Sequence, residues 1–118
     1  MKKILIVDDE ELICRGLKKA FQQPNVEIKT VNTVRDAKKE IESSSFDLCF
    51  LDIRLPDGNG LILLNYIKEI SPCTKVIVLS GELLDNNIKE TIGDYPFISK
   101  PFNLNHVRII IEKFLISA

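Results

Sequence analysis

The sequence predicts an α/β fold, a doubly wound (βα)5 sheet of five parallel strands with helices on both faces, and three observations predict it. Short β-branched apolar runs alternate with longer segments in which apolar residues recur every three or four positions, five of each kind. Two of the short runs, 3–7 and 48–53, are apolar without alternation, as parallel strands covered on both faces must be. With 118 residues, 45% of them hydrophobic, the chain is long enough for one core, so residues 1–118 read as one domain.

The elements follow in order. The first strand, 3–7, belongs inside the sheet. The first helix starts near Glu11, carries Ile13, Leu17, Ala20 and Phe21 on one face, and stops at Pro24-Asn25. The second strand, 26–31, alternates Val-Glu-Ile-Lys-Thr and suits a sheet edge. Thr33 with Asp36 three residues on resembles a capping box, opening a helix along Val34, Ala37 and Ile41 that ends at the serine run 43–45. The third strand, 48–53, is interrupted only by Asp52. A third helix runs over 60–70, a fourth strand over 75–79, a fourth helix over 83–92 and a short fifth strand over 95–99. The fifth helix, from Leu104, repeats Val107, Ile111 and Phe114 at helical spacing. Right-handed crossovers then place helices on both faces of a flavodoxin-like sheet, whose ligands collect at the carboxyl ends of the strands.

Charge and composition exclude several classes. Lys and Arg number 16 against 17 Asp and Glu, a net −1, which lacks the basic surplus of a nucleic-acid binder. Cys14, Cys49 and Cys73 are odd in number, form no CxxC pair and read as small apolar residues in a reducing compartment. Asp8 and Asp9 end the N-terminal apolar run well short of a signal peptide, and no membrane-spanning run exists, so a cytoplasmic protein is expected.

Four of the five strands deliver a polar group to one rim: Asp8 and Asp9 after the first, Asp52 at the end of the third, Ser80 after the fourth and Lys100 after the fifth. Three converging carboxylates require a cation, and oxygen ligands without His or Cys favour Mg²⁺. Lys100 adds a mobile ammonium and Ser80 a hydroxyl. Glu10 and Glu11 are expected only to favour the positive end of the first helix. Taken singly, Ser80 and Lys100-Pro101 are ordinary turn residues; their joint placement carries the functional reading.

The motifs Ile-Leu-Ile-Val-Asp-Asp-Glu (4–10), Leu-Asp-Ile-Arg-Leu-Pro-Asp-Gly-Asn-Gly (51–60), Val-Leu-Ser-Gly (78–81) and Phe-Ile-Ser-Lys-Pro-Phe (97–102) resemble the receiver domain of two-component response regulators over the whole chain. The resemblance implies a signalling switch rather than an enzyme, in which Asp52 accepts a phosphoryl group from a phosphohistidine of a sensor histidine kinase or histidine phosphotransfer protein. It implies direct Mg²⁺ ligation by Asp9, Asp52 and the Arg54 carbonyl, with Asp8 acting through water. Ser80 and Lys100 would contact the phosphoryl group, and Lys100–Pro101 would be cis. Ser80 and Phe97 would couple phosphorylation to the surface around the fourth helix, fifth strand and fifth helix, although Phe97 also fits as a core aromatic.

Departures stand beside the resemblance. Ser80 replaces the more usual Thr, Asp94 follows Gly93 where a small residue is common, and the chain between Ser80 and Lys100 is about two residues short. Pro96 fits a loosely paired strand start. Arg54 and Glu82 would form an ion pair that lengthens the acyl phosphate's life, or stand as two solvated charges. A phosphorylation-independent interaction module of the same fold is the alternative function. A dinucleotide or flavin site, a Walker site and an aspartyl-phosphate phosphatase all lack their motifs. The chain acts alone through a downstream protein or belongs to a longer one with an effector domain. Its Leu- and Ile-rich last helix serves as core or as the face of a phosphorylation-dependent dimer, and His106 as a surface residue.

Overall fold

The computed structural model describes residues 2–81 and 86–116, with residues 110, 111 and 113–116 described by backbone alone. The order is β1 (Lys2–Val7), α1 (Glu11–Phe21), β2 (Val26–Val31), α2 (Val34–Ser43), β3 (Leu48–Asp52), β4 (Arg54–Leu55), β5 (Gly58–Asn59), α3 (Gly60–Ile70), β6 (Lys75–Ser80), α4 (Asn86–Ile92), β7 (Phe97–Ser99) and α5 (Leu104–Ile116).

Five strands form one parallel sheet in the order β2-β1-β3-β6-β7. The chain steps outward from β1 to β2, then returns past β1 to β3 and continues the other way, which puts the topological switch point between β1 and β3. Strand residues alternate faces, so the uninterrupted apolar runs feed two cores at once. Leu5, Val7, Cys49, Leu51, Val76 and Val78 pack with α2, α3 and Ile92 of α4. Ile4, Ile6, Phe50, Ile77 and Leu79 pack with Leu17 and Phe21 of α1 and Val107 of α5. The two faces of the expected doubly wound sheet are therefore both covered, and β2, alternating in exposure, lies at one edge.

Helix ends show how local chemistry fixes the frame. An α-helix leaves its first N–H groups without intrahelical acceptors. In α2 these are met by Thr33, whose Oγ1 accepts from Asp36 N at 3.0 Å, and by Asp57, whose two oxygens accept from Val34 N (2.7 Å) and Arg35 N (3.0 Å). The loop after β3 is thereby tied to α2. Asn59 Oδ1 accepts from Leu61 N at 2.8 Å and opens α3. Helix α4 closes on Gly93, whose φ of +58° is a left-handed conformation that glycine adopts without a Cβ penalty.

Some boundaries differ from the sequence reading. The fifth strand is only Phe97–Ser99, because Pro96 offers no N–H and contributes just its carbonyl, which accepts from Val78 N at 2.8 Å. The first part of the fourth helix, from Leu83, lies outside the described residues, as do the side chains of Ile111 and Phe114. The two-residue strands β4 and β5, paired antiparallel as Arg54↔Asn59 and Leu55↔Gly58, were not expected. Cys14 and Cys49 are buried, whereas Cys73 is exposed and does not serve as a core residue.

Candidate phosphoryl and metal site

Parallel register decides what meets at the rim. Val7 pairs with Leu51, Asp52 with Leu79 and Ser80 with Ser99, so the residues that follow β1 and β7 emerge beside Asp52 and Ser80. Lys100 N donates to the Ser80 carbonyl at 2.7 Å, and the Lys100–Pro101 peptide is cis, as expected.

Asp8 is fully buried, and its main chain is held from several sides. Its N–H donates to the Val31 carbonyl at 3.1 Å, while its own carbonyl accepts from Asn32 Nδ2 (2.9 Å) and Cys14 Sγ (3.3 Å). Its Oδ1 accepts from Glu10 N at 2.8 Å. Its Oδ2 lies 2.7 Å from Lys100 Nζ as an ion pair but makes no aligned hydrogen bond, so charge is compensated there while a buried lone pair stays unused. Asp52, also buried, accepts from Arg54 N on Oδ1 at 3.3 Å and from Lys100 Nζ on Oδ2 at 3.2 Å.

Glu10 joins them, which corrects the sequence reading. It stands at the N-cap of α1 but makes no side-chain cap hydrogen bond. Its carboxylate instead accepts from Lys100 Nζ at 2.9 Å. Among the described residues, one ligand atom each from Asp8, Glu10 and Asp52 fall within 4.8 Å of one another. Asp9 is exposed and lines the same cavity without belonging to that trio. The run of four acids after β1 is a sequence signal for Glu10, but its separation of 90 residues from Lys100 hides the contact. Glu11 pairs with Arg15 at 3.0 Å on the outside of α1.

Three carboxylates around one ammonium leave two negative charges in excess. Burial pushes the Asp52 carboxyl up to about 6, the Asp8 charge adds to this, and Lys100 and the Arg54 N–H oppose it. Burial pulls the Lys100 ammonium down, but its short contacts with Asp8 and Glu10, and the charges of Asp8 and Asp52, hold it above its usual range. Burial, then Asp8, raises the Cys14 thiol to about 11, so it stays protonated as a donor. An oxygen-only donor set with surplus negative charge and an unused buried carboxylate lone pair fits a hard divalent cation such as Mg²⁺.

The acids open into a cavity of about 290 Å³ lined by Asp9, Glu10, Asp52, Arg54, Ser80 and Lys100. Ser80 is buried at its floor and Arg54 exposed at its mouth. A larger cavity, about 510 Å³, lies at the opposite end of the sheet between Lys68, Val76 and Tyr95 and gathers no comparable set of acids. Phe97 is 41% exposed on β7, which does not bear out its reading as a core aromatic. Glu82, the expected partner of Arg54, lies outside the described residues. Among the described residues no helix is long and apolar enough to cross a membrane.

Known proteins resemble this chain in sequence and in fold. The response regulator protein PilR of Pseudomonas aeruginosa is 34% identical over 97% of this chain, which covers 26% of PilR. The chain thus spans about a quarter of the length of the first curated relatives it matches. The response regulator receiver protein CpdR of Brucella abortus is 29% identical over the whole of both chains. The crystal structure of the response regulator protein TrrA of Thermotoga maritima, in complex with Mg²⁺ and beryllofluoride, is 30% identical. It superposes with a TM-score of 0.82 over 97% of this chain and 99% of that one. The profile of the response regulator receiver domain matches residues 4–112, and with the parallel sheet and the charged pocket at its strand ends in place, the chain belongs to that family.

Proposed function

We propose that residues 1–118 act as one cytoplasmic receiver domain whose Asp52 takes a phosphoryl group from a phosphohistidine of a sensor histidine kinase or histidine phosphotransfer protein. The observation that carries this reading is the placement of Asp52, a buried carboxylate at a strand end facing a cavity, 3.2 Å from a lysine ammonium.

A carboxylate attacking an anionic phosphorus needs positive charge around the oxygens of the transition state. Asp9, Asp52 and the Arg54 carbonyl would hold Mg²⁺, with Asp8 acting through water, and the bound ion would supply part of that charge. Lys100 supplies the rest from a position already within reach of Asp52. The Arg54 N–H on Oδ1 fixes the carboxylate plane as the P–O bond forms and the P–N bond of the donor breaks, its electron pair leaving on the imidazole nitrogen. Ser80, at the floor of the same cavity, accommodates a phosphoryl oxygen. The domain also assists hydrolysis of its acyl phosphate by water, and Arg54, in the lining of the same cavity, slows that step by covering the phosphoryl group.

The new dianion draws Ser80 inward, and Phe97 turns with it, altering the surface of α4, β7 and α5 that a downstream protein, an attached effector domain or a second copy reads. Nucleic acid and membrane are not direct partners of this domain. Intact mass after incubation with acetyl phosphate, with Mg²⁺ or with EDTA, tests the reading. A single Mg²⁺-dependent adduct that disappears in Asp52→Asn is expected. Absence of the adduct, together with an amide NMR spectrum unmoved by beryllofluoride and Mg²⁺, would favour a phosphorylation-independent binding module.

A further inference from the structure

The Lys100 ammonium has three N–H donors and faces three carboxylates: Asp8 Oδ2 at 2.7 Å, Glu10 Oε1 at 2.9 Å and Asp52 Oδ2 at 3.2 Å. Two of its donors are in hydrogen bonds, to Glu10 and Asp52, and its charge also faces Asp8 before any phosphoryl group arrives. A phosphoryl group on Asp52 adds anionic oxygens within reach of the same ammonium, and these compete with the existing contacts. The three partners are not equal in what release costs them. The Asp8 and Asp52 side chains are 0% and 7% exposed, so freeing either would strand a buried charge, whereas the Glu10 side chain is 59% exposed and can return to water. Glu10 is also free of the capping duty its position would ordinarily impose, since α1 has no side-chain cap there. Its backbone N–H is anchored on Asp8 Oδ1 at 2.8 Å, which fixes the Cα while the carboxylate swings.

The geometry points to Glu10 as a positioning residue that holds the Lys100 ammonium in the unphosphorylated chain and surrenders it to the phosphoryl group on Asp52, an assignment that rests on the phosphoacceptor reading above. Glu10 thus competes with the incoming group. It engages the cation that the reaction needs, and it places a negative charge at the mouth through which an anionic donor must pass. Removing that charge lowers the electrostatic barrier for a doubly charged donor and reduces the hold on Lys100 to that of a neutral amide oxygen. Removing the grip while keeping the charge delivers only the second gain.

Two variants separate these effects. Glu10→Gln keeps the length and loses the charge; Glu10→Asp keeps the charge and falls one methylene short of Lys100. The readouts are the initial rate of adduct formation from acetyl phosphate at saturating Mg²⁺, by intact mass, and the ¹³C carboxyl resonance of Glu10 before and after beryllofluoride. From the Coulomb energy of one largely exposed charge at this range, Glu10→Gln is expected to be about three- to tenfold faster than the wild type, with Glu10→Asp between the two. The Glu10 resonance should move toward that of a solvated carboxylate when beryllofluoride binds. A role confined to holding the fold would slow both variants and lower their melting temperatures, so rates equal to or below the wild type in both overturn the assignment. A wild-type adduct with unaccelerated variants refutes Glu10 alone; a wild type that takes no phosphoryl group refutes the phosphoacceptor reading and this assignment with it.

Discussion

Replacing Gly60 with alanine tests how closely α3 is set against the strand that carries Asp52. A Cβ at Gly60 would stand 2.1 Å from the Asp52 carbonyl oxygen and 3.0 Å from both Asp52 C and Ile53 Cα. All three obstacles are backbone, so no side chain can rotate aside. The backbone of Gly60 is not in the left-handed region, so the glycine is needed for space and not for its dihedrals. Relief requires moving the first turn of α3 away from β3, which breaks the 2.6 Å hydrogen bond from Gly60 N to the Ile53 carbonyl. Overpacking costs about 1–3 kcal/mol and the lost buried hydrogen bond about 1 kcal/mol, so a loss of about 2–4 kcal/mol is expected. That is a large share of the roughly 5–15 kcal/mol that holds a domain together, and for this length it lowers the melting temperature by roughly 8–16 °C. Thermal and urea unfolding of Gly60→Ala measure it. The propensity argument has the opposite sign, since alanine is better in a helix than glycine by about 1 kcal/mol. A melting temperature equal to or above the wild type would show that α3 does not approach β3 this closely, and the steric reasoning would fail.

Asp52→Asn is expected to raise the melting temperature at pH 7. With its pKa raised to about 6 by burial and Asp8, Asp52 is more easily ionised in the unfolded chain, so its ionised form penalises the fold above pH 6 and the penalty fades as pH falls toward 4. The variant's advantage should shrink over the same window, and a lower melting temperature at pH 7 would contradict the charge-excess argument; Mg²⁺ should stabilise the wild type more than the variant. Asp57→Asn should behave oppositely: the Val34 and Arg35 N–H groups hold the Asp57 carboxyl below its usual range, so its contribution is complete above the unfolded value of 3.8 and is lost as pH falls through the lower folded value. Melting temperatures between about pH 7 and pH 3 should show Asp57→Asn less stable at neutrality and less acid-sensitive, and parallel curves would refute the capping role.

The frame was legible because its signals are local. Uninterrupted apolar runs mark β1, β3 and β6, and three-and-four spacing marks α1 and α2; the predicted face of α2 is its buried one, while on α1 Leu17 and Phe21 are buried, Ile13 and Ala20 half-buried, and the unpredicted Cys14 completes the face. The rim was legible because a parallel sheet brings strand ends together whatever its loops do. What stayed hidden depends on long-range meetings of side chains. Glu10 reads as a helix-start acid until Lys100 arrives from 90 residues away, and nothing local in the sequence marks Asp57 as the cap of a helix 23 residues earlier. The β4–β5 ladder, two residues a side, has no periodicity to detect. The fifth strand was predicted too long because Tyr95 resembles a strand residue and Pro96 fits a loosely paired strand start, whereas the proline's missing donor ends the pairing before it.

The same layout determines where a charge change at Asp52 can be felt. Directly below the rim, Val7, Leu51 and Leu79 are completely buried in the two cores, and β1 and β3 are each paired on both sides, so that half of the site is a rigid floor. The other half hangs on β7, a three-residue edge strand whose registered partner is β6 alone, which begins with the exposed Phe97 and ends directly before Lys100. A packed core resists displacement because every shift opens voids, whereas a short edge strand moves at little cost. On the function proposed above, new charge on Asp52 would pull on Lys100 and Ser80, and with β3 held on both sides the strain would be relieved through β7. The direction of the response is therefore set by sheet order: the acid is fixed to the stiff centre and the cation to the compliant edge.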